Sequence, residues 1–211
     1  HERKLTFSAV FEITPLARVV TRWFGRTIID SDYRFAYEGA QTIIEAGKVV
    51  KGYETSVDGV TSVVPEEVQE AVLILNKLAA KFRKKRFAAG AISFERPEMK
   101  VEVDETGKPV GVYQKISKEA NWLIEEFMLL ANRCVAEFVA TGANLDKDGY
   151  AVVGKAPAKG WKEEKTFVYR VHDEPDMAKV DNLRGFVGNF GYTLGKVADG
   201  KEFSRELNGL F

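Results

Sequence analysis

Two adjacent carboxylates, Glu125 and Glu126, lie in a mostly apolar stretch whose spacing predicts a long helix over residues 117–140. At about 100° per residue, Glu126 shares a helix face with Arg133 and Glu137. One interpretation is a solvent-exposed face, with ion pairs worth roughly a few tenths of a kcal/mol each. The other is a carboxylate that accepts hydrogen bonds from ligand hydroxyls, such as the ribose 2′-OH that distinguishes RNA from DNA. Spacing alone favours the first interpretation.

A basic run occupies the end of a second predicted helix, which starts at Pro65 and places an apolar stripe on one face. The run contains no acid, and its cations are Lys77, Lys81, Arg83, Lys84, Lys85 and Arg86. Such cations can contact nucleic-acid phosphates and release counterions. They are also the residues that the negative end of a helix dipole favours, and the pattern alone favours this structural interpretation.

Aromatic residues are the third candidate feature. Tyr33, Phe35 and Tyr37 alternate along the chain, and Phe94 follows a predicted turn at Gly90. Aromatic faces can stack on unpaired bases, a contact worth about 1–3 kcal/mol per base. Without further information, the ordinary role of such residues is packing in a core.

Metal and nucleophile chemistry is sparse in this sequence. His172 and Cys134 do not by themselves make a structural zinc site. The closely spaced acids do not form a complete metal cage, and "DKDG" at 146–149 is predicted to be a turn because the later calcium ligands are missing; these acids are Asp30 with Asp32 and Asp146 with Asp148. There is no glycine-rich phosphate loop and no nucleophile elbow, so the residues alone indicate no complete active site.

The chain has 211 residues, no net formal charge and 45% apolar residues. This composition suits a domain with a sizeable core and lacks the overall basic bias of many nucleic-acid-binding proteins. The lone Cys134 cannot form an internal disulfide; we predict a small core residue rather than a nucleophile, a reducing compartment and hence a cytoplasmic location. No apolar run approaches the ~20 residues of a membrane span, so no membrane association is expected.

Strands and helices alternate along the chain. Two strands at 4–13 and 17–30 should form a hairpin, and further strands are predicted around an Asp104 to Gly107 turn and at 166–175. Besides the two helices above, helices are predicted at 37–47 and 176–190; residues 48–63 are predicted to be irregular, residues 141–165 a variable, mobile loop and the tail after Gly191 broken. The expected fold is α/β, of the mixed α+β kind, with partly antiparallel sheets flanked by helices.

Five ordered stretches together resemble the catalytic domain of ribonuclease II and ribonuclease R, the RNB domain, and are closer to ribonuclease R. They are "KLTFSAVFEI", "FGRTIIDSDYRFAYEGAQTIIE", "GAISFERPEMKVEVDETGKPV", "ANWLIEEFMLLANRCVAEFV" and "FVYRVHDEP". The resemblance covers nearly the whole chain apart from residues 48–63 and 141–165. It implies a processive 3′→5′ exoribonuclease that hydrolyses single-stranded RNA to nucleoside 5′-monophosphates with Mg²⁺ held by aspartates.

The resemblance also implies roles for individual residues. Tyr37 matches the tyrosine that packs against the 3′-terminal nucleotide, and Phe94 matches an aromatic that clamps the stacked 3′ bases. Glu126 matches the glutamate that contacts the terminal ribose and favours RNA. Glu125 is then a structural or solvated neighbour. Arg170 and His172 lie in a matching motif without an assigned role.

Two parts of the family pattern do not occur in this sequence. The resemblance places the aspartate cluster upstream of the first strand and an arginine motif of the "TSPIRRY" type downstream of Phe211. We therefore expect residues 1–211 to be an internal fragment of one catalytic domain, with substrate-positioning residues but no catalytic or metal-ligand residues. The fragment should bind no metal, have no activity alone and associate with itself through uncovered apolar surface. The alternatives are a stand-alone, non-catalytic RNA-binding module and a structural piece without useful affinity.

Overall fold

A computed structural model describes residues 3–92, 98–141, 151–152, 166–171, 173–197 and 199–210. The chain divides into two compact units, one formed by His1–Arg83 with Ser117–Tyr169 and the other by Lys84–Ile116 with Arg170–Phe211. The described elements are, in chain order, β1 (Lys4–Ile13), β2 (Val19–Ile29), α1 (Tyr37–Ala46), β3 (Glu54–Val57), β4 (Val60–Val63), α2 (Glu66–Ala88), β5 (Glu98–Val103), β6 (Pro109–Lys115), α3 (Glu119–Thr141), β7 (Ala151–Val152), α4 (Met177–Gly188) and α5 (Gly200–Asn208). Helices thus accompany small antiparallel sheets, and the predicted mixed α+β class is confirmed.

The first hairpin is confirmed. β1 and β2 pair antiparallel over nearly their full length, and β7 adds a short third strand beside β2. The turn between them closes where the N–H of Thr14 donates to the carbonyl of Arg18 at 2.9 Å. Ala17 takes the left-handed conformation there, with φ of 54°, which lets the chain reverse within a few residues.

A second hairpin, β3–β4, lies within residues 48–63, so the prediction of an irregular segment there was wrong. Its two-residue loop is Asp58-Gly59, and both residues have positive φ, 53° and 77°. That combination is the type I′ turn whose twist matches paired strands. The Asp-Gly dipeptide was the signal in the sequence, but the short flanking strands were too polar to stand out.

One buried amide joins this hairpin to α2. The Gln69 side chain is 0% exposed. Its Oε1 accepts from the N–H of Val50 at 2.9 Å, and its Nε2 donates to the carbonyls of Val50 and Val64 at 3.0 and 3.1 Å. Satisfying every polar atom removes the cost of burying the amide. The segments before and after the β3–β4 hairpin are therefore both held on α2.

The second unit contains the β5–β6 hairpin, α4 and α5. The predicted Asp104–Gly107 turn and the helix near 176–190 are both confirmed, the latter with Asp176 as N-cap. The core of the second unit consists of Val180, Leu194 and Val197, with Leu183, Val187, Phe203 and Leu210 packed against them. The outer apolar positions of β5, including Met99 and Val101, remain exposed, since nothing in the described part of this unit covers that face.

Two predictions at the end of the chain were wrong. Residues 166–171 do not form a strand, because their alternating pattern finds no partner strand in the described part of the chain. The tail after Gly191 is not merely broken, since α5 forms over Gly200–Asn208. Asp199 caps it by accepting from the N–H of Glu202 at 2.8 Å, and this Asp-x-x-Glu spacing was the overlooked helix signal.

Most of the predicted 141–165 loop, residues 142–150 and 153–165, lies outside the described residues, as do Phe94 and His172. None of the described helices combines the length and the apolar character that crossing a membrane requires.

Acidification should loosen the β5–β6 turn. The Asp104 carboxylate accepts from the hydroxyl and N–H of Thr106 and from the N–H of Lys108, and the Thr106 hydroxyl is the largest cause that lowers the pKa of Asp104 below its ordinary 3.8. A lowered pKa means that this stabilisation is complete above pH 3.8 and is lost as the pH falls through the lowered value. In NMR titrations, the Thr106 and Lys108 amide shifts should therefore follow a midpoint below 3.8.

Asp104→Ala should abolish that titration, whereas Glu105→Ala, at the exposed neighbouring position, should leave it unchanged. A midpoint at or above the ordinary value, or an equal effect of both variants, contradicts the assignment.

Candidate functional site

An apolar cavity of about 570 Å³ lies in the first unit between three helices. It is lined by Phe35, Ala36, Tyr37, Ala40, Val68, Ala71, Val72, Leu75, Ala120, Leu123 and Ile124. The first two residues precede α1 and the next two lie on it, the following four belong to the predicted apolar stripe of α2, and the last three belong to α3. Its size is within the range of about 300–1,000 Å³ that is common for ligand sites.

Tyr37 is the first residue of α1 and lies in the cavity wall with its side chain 45% exposed. The two aromatics before it are less exposed and contact each other. The Tyr33 hydroxyl donates to the carbonyl of Ser62 at 3.1 Å, and the Tyr33 and Phe35 rings pack with centroids 4.7 Å apart. Tyr37 is therefore the aromatic of this trio whose exposure suits it best to contact a ligand.

Gln41 holds α1 against the start of α3. Its side chain is buried; Nε2 donates to Glu119 Oε2 at 2.7 Å, and Oε1 accepts from the N–H of Ala120 at 2.9 Å. Nearby, Lys118 donates to Glu45 at 3.0 Å. This bond, followed by one from Gln41, lowers the pKa of Glu45. These links fix the α1 and α3 walls of the cavity relative to each other.

Glu126 is buried, with 3% of its surface exposed. It borders the α3 stripe that also buries Leu130 and Cys134, so the solvent-exposed interpretation is wrong for this residue. That interpretation does hold further along the helix, where Arg133 and Glu137 are exposed and lie 3.6 Å apart. The burial of Cys134 confirms its predicted place in the core.

The structure places the predicted site residues on two helices of one unit but not around one cavity. Tyr37 lines the cavity from α1, and α3 presents Leu123 and Ile124 to it. Glu126 lies on α3 outside the lining set, about 160° around the helix from Ile124 but about 60° from Leu123, which does line the cavity. Phe94, the third predicted residue, is outside the described part of the chain.

The basic run at the end of α2 has mixed roles. Lys81 donates to the carbonyl of Pro15 at 2.5 Å, and the Arg83 guanidinium lies 4.5 Å from the centre of the Trp122 ring. Arg86 lies 5.0 Å from the Phe87 ring. These cations contribute to packing, a role that differs from both the phosphate contact and the helix-dipole interpretation.

Sequence reasoning missed one buried cation. Arg22 of β2 is buried and forms an ion pair with Glu137 of α3, with Nη1 and Oε2 2.9 Å apart. Its Nε finds no hydrogen-bond partner among the residues that the structure describes. An arginine next to Trp23 and Phe24 in a predicted strand was the available signal, because a buried charge requires a partner.

No cluster of three or more His, Cys, Asp or Glu side chains that could hold a metal ion occurs among the described residues. The described acids therefore do not fit the Mg²⁺ that the resemblance implies.

Comparison with known proteins tests the resemblance. A family model of the RNB domain matches residues 1–208. The chain belongs to the RNB-domain family. DIS3-like exonuclease 2 of Caenorhabditis elegans is 39% identical over 137 residues, which cover 65% of this chain and 16% of that protein. Ribonuclease R 1 of Lactococcus lactis subsp. lactis is 29% identical over 199 residues, which cover 93% of this chain and 20% of that protein.

The fold agrees with this assignment. Mycoplasma genitalium RNase R, solved in complex with double-stranded RNA, superposes on this RNB-family chain with a TM-score of 0.74 at 18% identity. The match covers 99% of this chain and 32% of that one. The chain thus spans between 16% and 32% of the length of these three proteins.

Gln41→Ala should destabilise the first unit. It leaves the N–H of Ala120 and the carboxylate of Glu119 without the amide between α1 and α3, a loss of roughly 1–3 kcal/mol in the free energy of unfolding, measurable by urea denaturation. The exposed neighbour Thr42 bonds only within its own helix, so Thr42→Ala should change stability by less than about 0.5 kcal/mol. Equal losses in both variants would mean that the amide is not a link between the helices.

Proposed function

We propose that this chain is part of a 3′→5′ exoribonuclease that hydrolyses single-stranded RNA processively to nucleoside 5′-monophosphates. The RNB match over residues 1–208 carries the proposal. The names of the relatives, an exonuclease and a ribonuclease, support it. The chain contributes the substrate-positioning side chains of that enzyme.

Tyr37 packs against the 3′-terminal nucleotide in this proposal. Tyr37 lines an apolar cavity and is partly exposed, so a base or a sugar can cover its ring and remove apolar surface from water. Stacking of this kind does not depend on the identity of the base. The contact therefore suits an enzyme that removes every nucleotide in turn.

Glu126 accepts hydrogen bonds from the ribose hydroxyls and favours RNA. Its burial supports the role, since a hydrogen bond to a carboxylate is stronger where water is excluded. Glu125 is more exposed on the next position of the helix and serves as a structural neighbour. Phe94 clamps the stacked 3′ bases on the strength of the sequence resemblance alone.

Catalysis belongs to the intact enzyme. Mg²⁺ activates water and stabilises the leaving oxygen in metal-dependent nucleases, and the described residues of this chain offer no set of ligands for it. The chain alone should therefore bind RNA without shortening it. The alternative function, a stand-alone, non-catalytic RNA-binding module, makes the same prediction for the isolated chain.

A binding and cleavage assay tests this proposal. The purified chain is incubated with Mg²⁺ and a 5′-labelled single-stranded RNA, or its DNA counterpart, and both retention and shortening are measured. We expect RNA to bind more tightly than DNA and neither to be shortened. Glu126→Gln should reduce the RNA preference by roughly tenfold, since a charge-assisted hydrogen bond contributes about 1.5–3 kcal/mol.

Glu125→Gln is the matched control, because it makes the same chemical change one residue away and should keep the preference. Shortening from the 3′ end by the chain alone would mean that a metal site exists within it. Loss of preference in both variants, or in neither, would contradict the ribose-reading role of Glu126.

We further propose that the chain associates with itself. Leu5 and Phe7 are 86% and 77% exposed on β1, and Ile28, opposite Leu5 on β2, is also exposed. Apolar residues on an exposed edge strand favour association. Sedimentation velocity should show mass increasing with concentration, and Phe7→Lys should suppress the increase. Val60→Lys, at an exposed apolar site outside this sheet, should not, and a monomer at all concentrations would refute the proposal.

A further inference from the structure

A small basic pocket of about 230 Å³ lies in the second unit, between the end of α2 and one face of α5. It is lined by Phe87, Ala88, Ala89, Gly90, Lys201, Arg205 and Asn208. The volume is below the range of about 300–1,000 Å³ that holds drug-sized ligands. A group as small as a phosphate suits it better than a whole nucleotide.

The pocket is basic because the spacing of residues on α5 places two cations on the same face. Lys201 and Arg205 are one turn apart on α5 and face the pocket together. The acids of the same helix, Glu202 and Glu206, lie roughly 60–140° around its axis from these cations. Glu206 is moreover engaged, since its Oε2 accepts from the N–H of Gly195 at 2.8 Å. Neither acid lines the pocket.

The end of α2 adds little negative charge to the pocket, although a helix C-terminus normally repels anions. Its last carbonyls already accept hydrogen bonds, including that of Arg86 from the N–H of Ala91 at 3.1 Å and that of Phe87 from the N–H of Gly90 at 3.0 Å. The Asn208 side chain donates to the carbonyl of Ala91 at 2.7 Å. This last bond also fixes α5 against the end of α2.

The two cations are available to a ligand. Within the described part of the chain, the Lys201 and Arg205 side chains take part in no hydrogen bond or ion pair, and both are exposed. Lys84, exposed one turn before Ala88 on α2, adds a third positive charge beside the lining residues. The arginine fork and the lysine ammonium together match the geometry of phosphate oxygens.

We propose that this pocket binds a backbone phosphate of a single-stranded nucleic acid, with Lys201 and Arg205 as the contacting residues. The choice of ligand rests on the proposed function. A backbone phosphate is favoured over a free one because exposed cations continue from the pocket along α2, at Lys84 and Lys85, as a chain of phosphates would require. The contact is to phosphate and does not read the base or the sugar.

The first test uses inorganic phosphate and NMR at constant ionic strength. Saturable shifts should appear at the Gly90 amide and the Asn208 side-chain amide. They should be absent in Lys201→Ala/Arg205→Ala and retained in Lys108→Ala/Lys179→Ala, which removes two exposed cations of the same unit outside the pocket. Equal thermal midpoints establish that the variants are folded. No saturable shift at the pocket overturns the site.

The second test uses 5′-fluorescein dodecamers of RNA and DNA, with fluorescence anisotropy measured over a range of KCl concentrations. Lys201→Ala/Arg205→Ala should weaken binding of both dodecamers roughly tenfold at low salt. It should also make the slope of log K against log[salt] shallower by about 0.7, the value for one phosphate contact on a single strand. The ratio of RNA to DNA affinity should not change, and the control pair should behave like the unmodified chain.

The remaining outcomes are distinct. If phosphate shifts the pocket amides but Lys201→Ala/Arg205→Ala has no effect on dodecamer binding, the pocket is a free-anion site and the backbone assignment is overturned. A chain that binds neither dodecamer overturns the backbone assignment as well. Equal binding of RNA and DNA that this variant weakens would support the phosphate site, while the RNA preference of the proposed function fails.

Discussion

Buried polar side chains link the helices and strands of the first unit to one another. Gln41 links α1 to the start of α3, Gln69 links α2 to the segments on both sides of β3–β4, and Arg22 links β2 to Glu137 of α3. Each link is directional, so it fixes the position of an element as well as its attachment. Removing the Gln41 side chain leaves the buried N–H of Ala120 without its hydrogen bond, which costs more than the bond itself contributes. These links therefore help to set the positions of the helices that form the cavity walls.

The short helix α1 shows how far the candidate site depends on such links. It has 10 residues and no side-chain N-cap, and isolated helices below about 12–15 residues are marginal in water. Tertiary bonds therefore help to hold α1, and with it Tyr37, in place. Tyr53 donates its hydroxyl to the carbonyl of Gly39 at 2.9 Å, and a Cβ at Gly39 would collide with Thr55. The glycine that weakens the helix locally thus allows β3 to pack against it.

Local pattern was sufficient for the elements with a strong period and insufficient where partners lie far away in the chain. β1, α1 and the Asp104 turn follow from alternation, a glycine stop and turn chemistry, whereas the strand predicted at 166–175 required a partner that no local signal supplies. The same limit applies to the candidate site. Helical spacing put Glu126 beside Arg133 and Glu137, but spacing cannot state what packs over a face. The burial that separates Glu126 from these neighbours, and the buried amide of Gln41, exist only once the helices meet.

Binding a nucleotide and hydrolysing RNA require different groups of side chains. Under the proposed function, contact with a terminal nucleotide needs an exposed aromatic and a carboxylate, and Tyr37 and Glu126 are the residues proposed for these roles. Hydrolysis needs converging acids around a metal, and the described residues contain no such group. A carboxylate in a water-poor position strengthens its hydrogen bonds without the help of a metal. Under the proposed function, discrimination between RNA and DNA is therefore a property of this part of the RNB domain that can be measured separately from cleavage.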